Sequence, residues 1–431
     1  MLGRLTLESL MKILEVTTIA MCMSAAAWAR AAPVTFSREI APLVYKNCTT
    51  CHRSGEAAPF PLISYGDAKK HARQIADVTA RHIMPPWRAE PGHGDFIGEH
   101  RLDDSQIALF KKWVDQGCLE GDAKAAPEVP QFTSGWQLGE PDMIVKMPEP
   151  YELVAEGRDV YRCFVLPVQI PAGKYLRAVE FRPSNRRIVH HALLTTLRHD
   201  FAVARLFMGK GNSFSSGLVA PGDRLAGSLG LWTPGYEPRP LPAGYAIEWP
   251  RNCDLVVQLH LHPSGKPEFE QSSIGLYFSG ERPHGRLKSL VMLYKDINIA
   301  PGNDHYSVNK SMTLKEDVDA YGIFPHMHLI GRTVDVTATL PDGSKQPLIQ
   351  INDWDFNWQN YYQYAKPIHL KAGTKVEAHW TFDNSADNAA NPSQPPQRVT
   401  FGEQTTDEMA ALIFDVIPRK TPAVGASASI K

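Results

Sequence analysis

The chain of 431 residues has little cysteine, no excess of either charge and no recognisable internal repeat. Past its N-terminal segment it also lacks any apolar run long enough to cross a bilayer. Each absence excludes something. Lys and Arg number 45 against 46 Asp and Glu, for a net charge of −1, which excludes a nucleic-acid binder that depends on a large basic field. The missing periodicity excludes a repeat architecture. What remains is 43% apolar and 21% charged, the balance of a packed globular protein, with room for two or three domains. Pro at 34 and Gly at 31 suit many short strands joined by turns better than a helical bundle.

Residues 1–31 read as a secretory signal. Lys12 precedes an apolar run from Ile13 to Ala27, and Ala27-Trp28-Ala29 and Ala29-Arg30-Ala31 both fit a small-residue cleavage site. The run is short for a membrane anchor. The expectation is an exported protein, periplasmic or secreted, with no stable membrane insertion once the signal is removed. Of six cysteines, Cys22 leaves with the signal and Cys48 and Cys51 share a motif. Cys118, Cys163 and Cys253 then allow at most one disulfide, and Cys163 with Cys253 is an open pairing.

The texture divides the chain. Residues 34–122 are helix-like: Ser37–Lys46 carries Ile40, Leu43 and Val44 on one face, Tyr65–Ile83 is a second candidate, and Asp103–Cys118 is a third, opened by Asp103-Asp104-Ser105. A linker, 123–142, begins rich in Ala and Pro. Short alternating runs separated by turn signals follow, such as Leu255–His260, Thr333–Ala338 and the turn Pro341-Asp342-Gly343. The expected fold class is multi-domain: a small all-α domain, then an all-β region long enough for two sandwiches, 143–285 and 286–418, and a tail, 419–431.

Cys48-Thr49-Thr50-Cys51-His52 is C-x-x-C-H, the spacing at which two thiols add to one haem while the adjacent imidazole reaches the iron. Such attachment takes place outside the cytoplasm, in keeping with the signal. A zinc half-site would need further ligands nearby, and Cys118 is the only other thiol in this region. Met84, in the Pro-stiffened stretch His82-Ile83-Met84-Pro85-Pro86-Trp87, is the preferred sixth ligand, with His71, His82, His93 and His100 as rivals. The order helix, C-x-x-C-H, Met loop, final helix resembles a class I cytochrome c domain over residues 34–122.

Three clusters hold six of the 16 histidines: His190-His191, His260-Leu261-His262 and His326-Met327-His328. H-x-H on a strand puts both imidazoles on one face, as a metal requires. Adjacent His190 and His191 would point to opposite faces of a regular strand, so they need a bulge or a strand end to converge. Imidazole sites with one soft sulfur suit copper, and His-only sites also accept zinc. His262 is either a spare surface histidine or an alternative to His260.

These clusters resemble those of the copper type II, ascorbate-dependent monooxygenases, the class of peptidylglycine α-hydroxylating and dopamine β-monooxygenases, over residues 143–418. The resemblance implies two tandem, jelly-roll-like β-sandwiches and two coppers. One copper would sit on His190, His191 and His260, the other on His326, His328 and Met409, with Met409 lying in Thr405-Thr406-Asp407-Glu408-Met409. The combination with an N-terminal cytochrome resembles bacterial fusions of the two.

The implied activity is dioxygen-dependent hydroxylation of a C–H bond in a small organic substrate. His326, His328 and Met409 would activate oxygen, the His-only site would pass the second electron, and the single covalent haem c would exchange electrons with an external donor or acceptor. The direction of that exchange stays open, as does a non-catalytic electron-transfer or copper-holding role. Phe324 stands where the peptide-hydroxylating branch has an Arg, and Ile413 where it has a Tyr, so a peptide ending in glycine is disfavoured as substrate. The aromatic stretch Trp354–Tyr364 reads as packing or as the lining of a substrate cleft.

Overall fold

The computed structural model describes residues 32–208, 213–215, 225–247, 249–402 and 404–419, so the expected signal at 1–31 and the expected tail from 420 lie outside the described residues. The protein is mostly β, with several antiparallel sheets and a small helical N-terminal region.

The helical region contains α1 (Ala41–Asn47), α2 (Tyr65–Lys70), α3 (Ala72–Ala80) and α4 (Asp104–Asp115). A π-helical turn, Phe36–Ile40, leads into α1. Pro42, with no N–H to place, is tolerated in that first turn. The expected helix over Tyr65–Ile83 is two helices, because His71 leaves helical geometry at φ −107° and ψ 10°. Its ring stacks flat on Phe60 at 3.7 Å. Ser64 with Asp67 and Asp103 with Gln106 form capping boxes at the starts of α2 and α4. Ile40, Val44, Ala68, Phe110 and Trp113 are fully buried between the helices.

Six strands matter for the site: β1 (Val160–Leu166), β2 (Val189–Arg198), β3 (Cys253–Leu261), β4 (Val318–His326), β5 (Tyr362–Leu370) and β6 (Ala410–Pro418). In the first β unit, β1, β3 and β2 lie side by side in one sheet, flanked by the strands Ser213–Phe214 and Leu225–Trp232. Alternate residues Leu255, Val257, Leu259 and Leu261 of β3 point into a core shared with a second, three-stranded sheet. Val256 points the other way, packing with Cys163 and Ala202 under the helix His199–Met208. In the register of β1 on β3, Cys163 stands opposite Gln258, five positions from Cys253. That is about 17 Å of strand, too far for the open disulfide pairing.

In the second unit, β5, β4 and β6 are adjacent in a five-stranded sheet that faces a four-stranded one. Leu412, Phe414 and Val416 from one sheet and Val334, Val336 and Trp380 from the other fill the space between. Strand Tyr245–Ile247, from the first unit by sequence, pairs in parallel with residues 285–287 of this sheet.

The helical region is docked as well as tethered. After Met84 the chain runs as an arm along the second β unit. Glu90 and Ile97 donate backbone hydrogen bonds to Gln350 and Gln363, and Ala365 donates to Asp95. Phe96 bridges to Tyr364 and enters that unit's core with Ala89. Arg88, nearly buried, pairs with Asp353 at 2.7 Å and Asp355 at 3.0 Å. On the other side Arg186 of the first β unit pairs with Glu56 at 2.5 Å.

Candidate metal centres

The pairing of β2 with β3 slips between Val189 and His191: Val189 faces Leu261 and His191 faces His260, which leaves His190 as an extra residue. This bulge is the local irregularity that adjacent histidines need. It turns His190 to the side of His191, away from the core that holds Val189 and Ala192. One nitrogen each of His190, His191 and His260 fall within 4.8 Å of one another, a buried three-histidine cluster that could hold a metal ion. Two of the separations, Nδ1 to Nδ1, are 3.1 Å (His190–His191) and 3.4 Å (His191–His260). Tetrahedral ligands at ordinary metal–nitrogen bond lengths stand about 3.3 Å apart.

Asp159 sets the chemistry of this cluster from outside. Its carboxylate accepts from His260 Nε2 at 2.7 Å and from His262 Nδ1 at 2.7 Å. A carboxylate only accepts, so His260 carries its proton on Nε2 and turns the lone pair of Nδ1 inward, the outer arrangement common behind metal-bound histidine. His262 is exposed and completes the grip on Asp159, outside the cluster. Tyr161, opposite His260 on β1, stacks on its ring at 4.3 Å. His190 Nε2 is buried with no hydrogen-bond partner.

His326 ends β4, and His328 lies two residues beyond it. In the β4–β6 register His326 faces Ala411, and Met409 directly precedes β6. Gln359 donates from Nε2 to Phe356 O at 3.0 Å, which directs its Oε1 to His326 Nδ1 at 2.5 Å. His328 Nδ1 donates to Asp407 O at 3.2 Å. In both rings the proton is therefore on Nδ1 and the Nε2 lone pair is available. The ring centres are 5.1 Å apart. Buried Glu408 ties the two chain segments together by accepting backbone hydrogen bonds from His328, from Ile330 at 3.2 Å and from Met409 at 2.8 Å. Burial pushes its carboxyl up to about 8.

Burial also keeps the imidazoles neutral. It pushes His190 down to about 3, with His260 adding to the effect, and His326 down to about 4 against the pull of Gln359. His328 falls to about 3, first through burial and then through His326, and His191 lies well below its ordinary value for the same leading reason. Neutral imidazole is the metal-binding form. The two histidine sets face each other across Phe356. Its ring centre is 5.7 Å from His190, 5.9 Å from His260 and 6.1 Å from His328. The first and last of these bound the His190–His328 separation at about 12 Å.

Cys48, Cys51 and His52 follow α1 directly, brought together by the chain itself. His52 donates from Nδ1 to Phe60 O at 3.0 Å, leaving Nε2 unprotonated. Burial first, then the neighbouring thiol, pushes Cys48 up to about 12, and burial pushes Cys51 to about 11. Met84 is half-buried past the end of α3, its N–H on Val78 O at 3.2 Å. A cavity of about 110 Å³ lies beside Cys51, walled by Pro85, Trp87 and His100 of the helical region and by residues of both β units.

Sequence reasoning missed Asp159, Gln359 and Glu408, and took Phe356 as packing or cleft lining rather than as a contact of the histidine sets. Asp159 is 101 residues from its histidine, and no local pattern marks it. Phe356 and Gln359 lie in the aromatic stretch read as packing or cleft lining. Glu408 precedes Met409 and carries a signal only once Met409 itself is suspected.

No known protein family matches the sequence, and no curated protein matches it. Among solved structures, the major capsid protein P2 of bacteriophage PM2 aligns at 11% identity over 65% of this chain and 98% of that one, with a TM-score of 0.26. A structure of the infectious bursal disease virus Gx strain aligns at 10% identity over 65% of this chain and 73% of its own, with a TM-score of 0.20. A two-domain protein of unknown function from Bacteroides fragilis aligns at 13% identity over 60% and 94%, with a TM-score of 0.17. Scores this low carry no argument about this chain.

Proposed function

We propose that this protein is an exported haem- and copper-containing oxidoreductase, a dioxygen-dependent monooxygenase that hydroxylates a C–H bond of a small organic substrate. On this reading a class I-like cytochrome c domain precedes two tandem β-sandwiches of the ascorbate-dependent copper monooxygenase type. The observation that carries the proposal is the pair of buried, neutral histidine sets, His190–His191–His260 and His326–His328, facing one another across a single phenylalanine.

The residues fit the groups in question. Five imidazoles have a nitrogen freed for a metal by an acceptor on the far side of the ring (His260, His326, His328) or by convergence on the cluster (His190, His191). Met409, 8% exposed and held with His328 by backbone hydrogen bonds to Glu408, would add the thioether that favours Cu(I). Copper is preferred to zinc because the second set combines two imidazoles with one soft sulfur. Bound copper would supply one-electron and dioxygen chemistry. The protein's own part is to exclude water and to hold His260, His326 and His328 each in one tautomer, with Asp159, Gln359 and the Asp407 carbonyl as the holding groups. Two thiols and a tautomer-fixed His52 fit a covalent haem, and an arm packed into the second β unit fits electron exchange between them.

A second reading, a non-catalytic copper or electron-transfer protein, is favoured by one observation: the Phe356 ring contacts both histidine sets. Dioxygen uptake by the copper-loaded, haem-matured protein with a one-electron reductant separates the two. The monooxygenase reading expects uptake coupled to hydroxylated product and lost in Met409→Ile with the haem spectrum intact. Full turnover in Met409→Ile overturns the role of Met409, and copper-loaded protein that forms no product with any of a broad substrate panel favours the second reading.

A further inference from the structure

The residues from Asp353 to Tyr361 join two strands, yet they touch both histidine sets and the arm that follows Met84. Trp354 donates from Nε1 to His328 O at 3.0 Å. Phe356 packs between the two histidine sets. Gln359 holds His326 at 2.5 Å, and Asn360 donates from Nδ2 to Pro86 O at 2.9 Å. Pro86 is two residues from Met84, and Asn360 also lines the cavity beside Cys51.

Resting on the functional reading above, we infer that Asn360 and Gln359 couple the cytochrome-like domain to the His326–His328–Met409 centre, so that an electron arrives there first and crosses Phe356 to the three-histidine cluster only afterwards. The connection is short and specific: one hydrogen bond from the arm, one peptide link, one hydrogen bond to the imidazole. Rival routes to the other cluster are less direct. The Glu56–Arg186 ion pair at 2.5 Å stops four residues short of His190. The backbone at Gly235 lies against Cys51, since a Cβ there would come within 2.8 Å of its Sγ, but reaching His191 from it requires travelling back to Trp232 and crossing to Ala192. Three-histidine contacts with Phe356 are ring to ring, without a hydrogen bond. The transfer moves one electron. An iron goes from ferrous to ferric and a copper from +2 to +1, with no covalent bond or proton changing place, and the iron is re-reduced by an external one-electron donor.

The test uses full-length, haem-matured, copper-loaded protein without oxygen. The haem is reduced by a light flash and its reoxidation followed optically, while freeze-quenched paramagnetic resonance reports the loss of Cu(II). The inference expects a fast phase that disappears in His326→Ala/His328→Ala and is unchanged within about twofold in His190→Ala/His191→Ala and in Arg186→Ala. Asn360→Leu, and the same-sized Asn360→Asp, which has no amide to donate, slow that phase several-fold at unchanged copper content. Survival of the fast phase without His326 and His328, its loss without His190 and His191, or wild-type rates in both Asn360 variants overturns the inference and leaves the copper–haem reading standing. A chain that takes up neither iron nor copper brings down that reading and this inference together.

Discussion

Replacing Asp159 is the sharpest single perturbation of the three-histidine cluster, because it leaves all three ligands in place. His260 is only 1% exposed, and the Asp159 carboxylate is the partner of its Nε2–H. A buried donor left without its partner costs about 1–3 kcal/mol. Loss of the group behind a metal-bound histidine lowers metal affinity by about 10- to 100-fold, or about 1.4–2.7 kcal/mol, in the same range. Asp159→Ala is therefore expected to weaken Cu(II) binding at this cluster by one to two orders of magnitude (about 10–100-fold). Asp159→Asn retains a neutral acceptor and should fall between. His262→Ala removes only the exposed second grip on Asp159 and should change affinity by no more than about threefold. Competition titration against a chelator, with His326 and His328 replaced to silence the other centre, reads the cluster alone. Wild-type affinity in Asp159→Ala would refute the tautomer argument, and a loss in His262→Ala as large as in His260→Ala would make His262 a ligand.

Acid should unfold the metal-free protein early. His190, His326 and His328 are held by burial at about 3, 4 and 3 when folded, against about 6.5 in the unfolded chain. The unfolded state then binds more protons between those limits, so stability is full above about pH 6.5 and falls as pH drops towards 4. Denaturant unfolding at pH 7 and pH 5 checks this, and equal stability at both would contradict it. Phe96→Ala removes a 6%-exposed ring from the second β core and should cost about 3–5 kcal/mol. Limited proteolysis should then cut the 86–100 arm first, and an arm as resistant as wild type would argue against docking. Glu408→Ala leaves the N–H groups of His328, Ile330 and Met409 without their acceptor. It should weaken Cu(I) retention at that centre by tenfold or more (about 10–100-fold) while sparing the three-histidine cluster, as read by Cu(I) competition.

Much of the β architecture is legible locally. The alternation Val257, Leu259, Leu261 against Gln258 and His260 assigns the two faces of β3 before any contact is known, and the H-x-H spacing follows from the same period of two. The His190–His191 pair also carries its own structural demand, because two adjacent side chains converge only at an irregularity, and the bulge lies there. What stays hidden is long-range or a matter of degree. Nothing local links Asp159 to His260, 101 residues apart and brought together only by the pairing of β1 with β3, or Asn360 to Pro86, which meet only where the helical region docks on the second β unit. The arm after Met84 reads as a polar, proline-rich loop, yet Phe96 spends its aromatic surface in another unit's core. His71 breaks a run whose apolar period continues through it, and at that position its ring stacks on Phe60.

Elemental analysis of protein matured in a periplasm and loaded with copper tests the central claim most directly. The account predicts one iron and two coppers per chain, with one copper lost in His190→Ala/His191→Ala and the other in His326→Ala/His328→Ala. A folded chain that binds no copper, or keeps both coppers through either pair of substitutions, would contradict it.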